Sequence, residues 1–563
     1  MLYKLITLNA RYTHSCLALF YVRSCLEENI PGCRVEIAQY TINDPYYPLL
    51  RRIGSGEPEA LFCSVYIWNS LTIQRLVSDS VKILPDTPII LGGPQAGALA
   101  ENLQPHVKQR CTVVHGEIEG IWESFYHDLA ERKLQRKYIC RKRETFKNPY
   151  REDDFAGPLQ NRQIYYESSR GCPFGCTYCL SASEKGVRHL KSEQVFAELK
   201  SILQYSPKII RFVDRTFNDL PERALEIWRF LAEQPGDTLF HFEMAPDRFT
   251  EEMFQFLEQV SPGRFQFEIG VQSTNQETLE AINRKCDLEK LQHNIPKLAA
   301  RDTIHLHLDL ILGLPHENRE SFARSFADVF ALGPHYIQMG LLKILPDAPI
   351  SRSIEEYGLV VCENPPYEIL ANRWLDRSEL EDLYWFGECV EAFYNNRFFR
   401  SFWKYLRRTE ENIFTFFESL LALCRRKGFF DLASTQELMS SLLLEVTRSR
   451  PDKELARELL IFDWLRCGHH FLPGHLEREP IATQKNILWK QMDQNYEGAY
   501  NYRSRDEFFK QGVFVQFSGQ LLHEVGLSLD GEKSHVCFQP VRELTVFKHS
   551  RALLIPGFCS NNQ

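Results

Sequence analysis

The run ESSRGCPFGCTYC places Cys172, Cys176 and Cys179 in a C-x3-C-x2-C spacing. Four closely spaced thiolates would complete an ordinary zinc or iron–sulfur site. Here the next cysteine along the chain is Cys286, so the loop offers three. Three thiolates on a 4Fe–4S cluster leave one iron open, where a substrate or cofactor can bind. Gly171 and Gly175 let the loop wrap tightly and leave backbone N–H groups facing sulfide. A zinc loop is the competing reading of the same residues. Cys16, Cys25, Cys63, Cys389 and Cys424 stand singly among apolar residues and read as small buried hydrophobes.

The elements around this loop alternate between strand and helix from about 163 to 345. QIYYES (163–168), KIIRFV (208–213), LFHFEM (239–244), RFQFEIG (264–270), IHLHLDLI (304–311) and YIQMGL (336–341) read as strands. SEQVFAELKSILQY and PERALEIWRFLAEQ between them carry helical stripes, the second with proline in its first turn. Six successive βα units predict a partial barrel, with active residues just past the strand ends.

At these residues the chain resembles the radical S-adenosylmethionine (radical SAM) superfamily, whose signature is C-x3-C-x-aromatic-C with Tyr178 in the aromatic place. The resemblance implies that the amino and carboxylate groups of S-adenosylmethionine chelate the open iron, with Tyr178 near the adenine. Reduction would then release a 5′-deoxyadenosyl radical. FEIGVQS resembles the family's E-x-G-x-Q-S element, which makes Glu268, Gln272 and Ser273 cofactor contacts. LDLILGLPHE resembles D-x-I-x-G-L-P, with Asp309 inward and Gly313–Pro315 turning past the adenine. FVDRTFN stands where many relatives carry Gly-Gly-Glu, a departure that makes Asp214 a substitute partner for the methionine ammonium. Glu243 is a similar candidate on the third strand. The competing role for each carboxylate is a structural hydrogen bond.

Before the barrel, YKLIT, RVEIAQY, ALFCSV, TPIIL and TVVH alternate with helical patterns at 16–28, 70–84 and 120–131. This predicts a doubly wound parallel sheet with its ligand site at the carboxyl ends of the strands. Such a domain ahead of a radical barrel resembles the cobalamin-binding class of the superfamily. LNARYTHS after the first strand offers Asn9, Arg11 and Tyr12, and Ser64 ends the third. LGGPQAG after the fourth offers Gly92, Gly93, Pro94 and Gln95, and VVHGEIEG after the fifth offers Gly116 and Glu117. The resemblance makes these the cobalamin contacts. The D-x-H-x-x-G motif that supplies a lower-face histidine elsewhere is absent. That suits methyl transfer from methylcobalamin to an unactivated carbon made radical by the adenosyl group.

The fold expectation is therefore α/β: a Rossmann-like domain over 1–131, a basic linker over 132–160, a (β/α)6 radical SAM core over 161–370, and a mainly helical domain over 371–563 that caps the substrate site. The linker opens with RKLQRKYICRKRETFKNPYR, nine basic side chains to one acidic. A net charge of -8 and 44% hydrophobic residues give no reason to expect nucleic acid. No apolar run is long enough to span a bilayer, and MLYKLITLNARYTH lacks the pattern of a signal peptide. Sixteen cysteines without such a leader point to a reducing, cytoplasmic setting. An electron donor such as flavodoxin or ferredoxin and a small-molecule or peptide substrate are expected partners.

Cys467, His469, His470 and His475 form C-x-H-H-x4-H, a spacing that fits no standard zinc site. Three other functions share much of the pattern. One is a cobalamin-dependent radical cyclase or ring-rearranging enzyme without methyl transfer. Another is a radical methylthiotransferase, which would need Cys16, Cys63 and Cys111 to hold a second cluster. The last is a non-catalytic corrinoid sensor.

Overall fold

A computed structural model describes residues 1–183, 186–300, 302–478, 481–491, 505–528, 532–542, 546–547 and 549–555. Two compact units divide the chain. The first holds Met1–Met253, Glu280–Lys285 and Leu342–Arg373, and the second holds Phe254–Leu279, Cys286–Leu341 and Trp374–Gln563.

The first unit opens with six parallel strands, β1 (Leu2–Asn9), β2 (Arg34–Thr41), β3 (Ala60–Ser64), β4 (Ile89–Gly92), β5 (Cys111–His115) and β6 (Lys137–Ile139). Their order is β2-β1-β3-β4-β5-β6. Strand order reverses between β1 and β3, the switch point where ligands of open α/β sheets bind. β3 is buried throughout, because helices cover both faces. One core contains Leu8, Leu61, Leu91 and Ile73, and the opposite one Leu5, Phe62, Ile90 and Phe125. Lys4 is 1% exposed in β1. Its ammonium donates to the carbonyls of Arg52 at 2.9 Å and Ser55 at 2.8 Å, at the end of the helix Tyr46–Gly54. The charge thereby meets the negative end of a helix dipole. β6 lies inside the basic stretch read as linker; Tyr138 is its one buried residue, and its charged neighbours conceal the strand in the sequence.

The barrel strands are β7 (Ile164–Tyr166), β10 (Ile209–Phe212), β11 (Leu239–Glu243), β12 (Phe265–Gln272), β13 (His305–Leu312) and β14 (Tyr336–Leu341), in the order β14-β13-β12-β11-β10-β7. This is the expected (β/α)6 succession. Pro221 begins the helix Pro221–Glu233, which buries Leu225, Trp228 and Leu231. Between β7 and β10 lies an unforeseen antiparallel hairpin, β8 (Ser169–Gly171) with β9 (Val187–His189), which brackets the cysteine loop.

In the second unit, helices Arg377–Val390, Arg400–Leu406, Ile413–Arg426, Gln436–Val446 and Lys453–Arg466 follow β14. Trp403 stacks on Phe417 at 4.9 Å, and Phe326 meets Phe386 edge-on at the same distance. A three-stranded antiparallel sheet ends the described chain, built from β17 (Val513–Phe517), β18 (Ser534–Arg542) and β19 (Ser550–Ile555). The short pair β15 (Val360–Val361) and β16 (Ile369–Ala371) belongs to the first unit. No helix among the described residues is long and apolar enough to cross a membrane.

Candidate active site

The hairpin β8–β9 opens at Gly171, whose φ is +99°. A Cβ there would sit 2.2 Å from the carbonyl oxygen of Gly186, so only glycine lets the strands close. The cysteine loop is then pinned along its length. Thr177 N–H donates to Ile282 O at 2.9 Å, Asn283 Nδ2 to Gly175 O at 2.8 Å, and Ile350 N–H to Thr177 O at 2.9 Å. Cys176 is buried and receives Arg284 Nη1 at 3.6 Å; Cys172 Sγ lies 3.8 Å from the Thr216 hydroxyl. Burial pushes the Cys172 thiol up, with Cys179 and Cys176 close enough to add to the shift. Tyr178 is also raised by burial, and then by Cys176. No three His, Cys, Asp or Glu side chains among the described residues converge as a single metal ion requires. Three thiols in one loop match the number that leaves one iron of a 4Fe–4S cluster open.

The strand-end residues fall into two sets. Asp214 is wholly buried and accepts from Ser168 N at 2.9 Å, Ser168 Oγ at 2.6 Å and Ser169 Oγ at 2.6 Å. Its carboxylate is thus taken up by the corner between β7 and β8. Ser273 is likewise buried, and donates to Glu317 Oε1 at 2.5 Å beside Ser325. Burial pushes the Glu317 carboxyl up to about 7, against the hydrogen bonds from Ser273 and Ser325. Glu268 and Asp309 differ. They lie on the half-buried faces of β12 and β13, where Glu268 pairs across the strands with His307 and Gly270 with Asp309. His307 Nε2 is 3.1 Å from Asp309 Oδ1, and its ring lies 4.3 Å from that of Tyr336. Gln272 has φ +74° beside a break in register at Gly270, a strained backbone of the kind found where side chains are aimed at ligands. Glu243 ends β11, half-buried.

At the switch point of the first sheet, Asn69 Nδ2 bridges the carbonyls of Leu8 and Ser64, both at 3.1 Å. Asn9 Nδ2 holds His14 O at 2.9 Å, and Cys16 Sγ donates to Ser64 Oγ at 3.4 Å. Arg11 and Tyr12 are exposed, with the Arg162 guanidinium 4.5 Å over the Tyr12 ring. Gly93 has φ +101°, and a Cβ there would meet Val65 O at 2.6 Å; at Gly92 a Cβ would meet nothing within 4 Å. The β4 turn, continued by Pro94, therefore closes against β3 and leaves an open backbone edge, which fits a large flat ligand approaching the main chain. Gly116 also has positive φ, +93°. Glu117 is paired with Arg170 Nη1 at 2.9 Å and with Arg188.

Several contributors lay outside the sequence reading. Tyr66 and Trp68 stack at 4.5 Å just past β3, with Trp68 47% exposed; the aromatic spacing in SVYIWNS was their only signal. Tyr367 OH donates to Gln95 Oε1 at 3.3 Å from a backbone with φ +59°. The cysteines needed for a second cluster do not assemble: Cys16 belongs to one core of the sheet, Cys63 and Cys111 to the other. His469 bonds Gln436 and His475 bonds Ser440, so each has a protein partner.

Residues 166–329 match the model of the radical SAM superfamily, and residues 355–535 match a protein family of unknown function (DUF4080). A 2-(S-pantetheinyl)-carbapenam-3-carboxylate methyltransferase of Streptantibioticus cattleyicolor is 25% identical over 76% of this chain and 74% of its own. The cobalamin-dependent radical SAM methyltransferase TokK of Streptomyces tokunonensis is 26% identical over 57% of this chain and 53% of its own, so about half of TokK is spanned. Among solved structures, the cobalamin-dependent S-adenosylmethionine radical enzyme OxsB with aqua-cobalamin bound superposes with a TM-score of 0.58 at 14% identity, over 82% of this chain and 80% of its own. Fold and site define an α/β enzyme with a three-thiol loop bracketed by the hairpin β8–β9. Residues 166–329 carry a radical SAM domain, and a cobalamin-dependent radical SAM methyltransferase is among the relatives of the chain.

Proposed function

We propose that this chain is a cobalamin-dependent radical SAM methyltransferase acting on an unactivated carbon. The carrying observation is the pairing of two features in one chain, the pinned three-cysteine loop and the glycine turn that ends β4, next to the strand beside the β1/β3 switch point. When bound, the cluster with S-adenosylmethionine supplies a 5′-deoxyadenosyl radical, and cobalamin supplies the methyl group. Cys172, Cys176 and Cys179 would hold the cluster, with Tyr178, Glu243, Glu268, Gln272 and Asp309 disposed towards S-adenosylmethionine. Asp214 and Ser273 support those strand ends from behind through buried hydrogen bonds. Asn9, Arg11, Tyr12, Ser64, Gly92, Gly93, Pro94, Gln95 and Gly116 frame the corrinoid edge, where Gly92 leaves the backbone open while Gly93 and Gly116 close against Val65 and Cys140. The protein's part is to orient the substrate carbon and exclude water and stray hydrogen donors.

The substrate is a small molecule or peptide. The reductant is a flavodoxin or ferredoxin, in keeping with a cytoplasmic location for a chain of sixteen cysteines. Anaerobic reconstitution followed by iron, cobalt and product analysis tests the reading. One cluster, one corrinoid, and S-adenosylhomocysteine with a methylated product are expected. Formation of 5′-deoxyadenosine alone, with every candidate metabolite, would replace methyl transfer by a radical cyclisation or rearrangement. Cys176→Ala should abolish S-adenosylmethionine cleavage, and unchanged turnover would remove the cluster from the chemistry.

A further inference from the structure

One guanidinium joins the loop after β5 to the strand that leads into the cysteines. Arg170 stands in β8, two residues before Cys172, with its side chain 9% exposed. Its Nη1 donates to Glu117 Oε2 at 2.9 Å, and its Nη2 to Glu119 Oε1 and Glu167 Oε2, each at 2.8 Å. Arg188 on β9 grips both oxygens of Glu117, and the Tyr21 hydroxyl donates to Glu167 Oε2 at 3.0 Å. The rings of Phe146 and Tyr21 hold the Arg170 guanidinium at 4.2 and 4.8 Å. A guanidinium is a rigid planar fork, so a shift of the glutamates on one side must turn the arginine on the other. Between Arg170 and Cys172 stands only Gly171, which has no slack against Gly186 O. Glu117 and Glu119 follow Gly116, at the corrinoid edge.

We propose that Arg170 is a positioning residue that couples occupancy of the corrinoid edge to the geometry of the cysteine loop. This rests on the cobalamin reading above. Such coupling is reciprocal: each cofactor alters the other's binding by the same factor, typically about tenfold. A mere structural ion pair would hold the loops together without making either cofactor sense the other.

The full chain, reconstituted anaerobically without reductant, offers two readouts besides turnover. One is the Kd for hydroxocobalamin, followed by absorbance, with and without the cluster. The other is the rate at which a chelator strips iron, with and without hydroxocobalamin. In the wild type each should depend on the other cofactor, the Kd by about tenfold. Arg170→Gln should load both cofactors yet lose both dependences, and Arg170→Lys, a point charge without the fork, should recover part of them. Equal Kd values in the wild type, or full dependence in Arg170→Gln, would overturn the linkage. If Arg170→Gln does not fold, Glu119→Gln must weaken the dependence, and its full retention would likewise overturn it. Cobalamin uptake without dependence removes the linkage alone, whereas no uptake by the wild type removes the cobalamin reading and the linkage together.

Discussion

Gly93 and Glu317 show how much a single position can carry. Gly93→Ala must place a Cβ against a backbone carbonyl at positive φ. A destabilisation of about 1–3 kcal/mol by urea unfolding is expected, with weaker hydroxocobalamin binding. Glu317 acts through ionisation. Its folded carboxyl titrates near 7 rather than the usual 4.5, so the folded state holds the proton more tightly than the unfolded chain. Stability from this group is therefore full below pH 4.5 and declines as pH rises through 7. Glu317→Gln removes that decline; between pH 5 and 8 the variant should gain about 2.5 kcal/mol on the wild type. Parallel stability curves for the two proteins would refute this. Sequence could place Ser273 and Asp214 at strand ends. It could not show that their partners are Glu317 and the Ser168–Ser169 pair, because such partners come from other elements of the fold.

At the scale of elements, the second unit is fastened at the start of its barrel strands. Asp302 precedes β13, His335 precedes β14, and Arg400 begins the helix Arg400–Leu406. His335 Nε2 is 2.9 Å from Asp302 Oδ1, and Arg400 pairs with Oδ2. Burial holds His335 down to about 4. Burial also opposes ionisation of Asp302, but His335 and Arg400 outweigh it and keep that carboxyl below its usual range. Both groups make the fold acid-sensitive. The histidine's contribution is full above pH 6.5 and falls towards pH 4, and the aspartate's is lost below the ordinary carboxylate range. Asp302→Asn should cost about 2–4 kcal/mol at pH 7, with the deficit kept down to about pH 4 and narrowing only below it; a deficit that stays constant below pH 4 would exclude the ionic account. Long, alternating elements were the legible ones. β12 and β13 bury every second residue along their whole length, and their alternating patterns show in the sequence. β6 and β8 are three residues each and half-exposed, too short for any periodicity to register.

For the whole molecule, the scaffold of the cysteine loop is made of protein contacts. Gly171, Asn283, Ile282 and Ile350 fix the loop through hydrogen bonds and close approach. Chelating the iron should therefore abolish S-adenosylmethionine cleavage while the far-UV circular dichroism stays unchanged. A large loss of helix on chelation would mean that the cluster supports folding. The architecture followed from its repeating strands and helices, whereas residues 342–373 carried no periodicity, and their contacts with Thr177 and Gln95 could not be foreseen.

That segment has a practical corollary. Leu342–Arg373 belongs with the amino-terminal unit, although its flanking stretches belong to the other. No single cut frees either unit. A part-length protein of residues 1–253 would lose the strand-to-strand turn that bears Tyr367 and the backbone that anchors Thr177. Grafting the first unit onto another enzyme would require its three stretches to be carried over together. Gene fusions and truncation series on this chain should treat residues 342–373 as inseparable from its first 253.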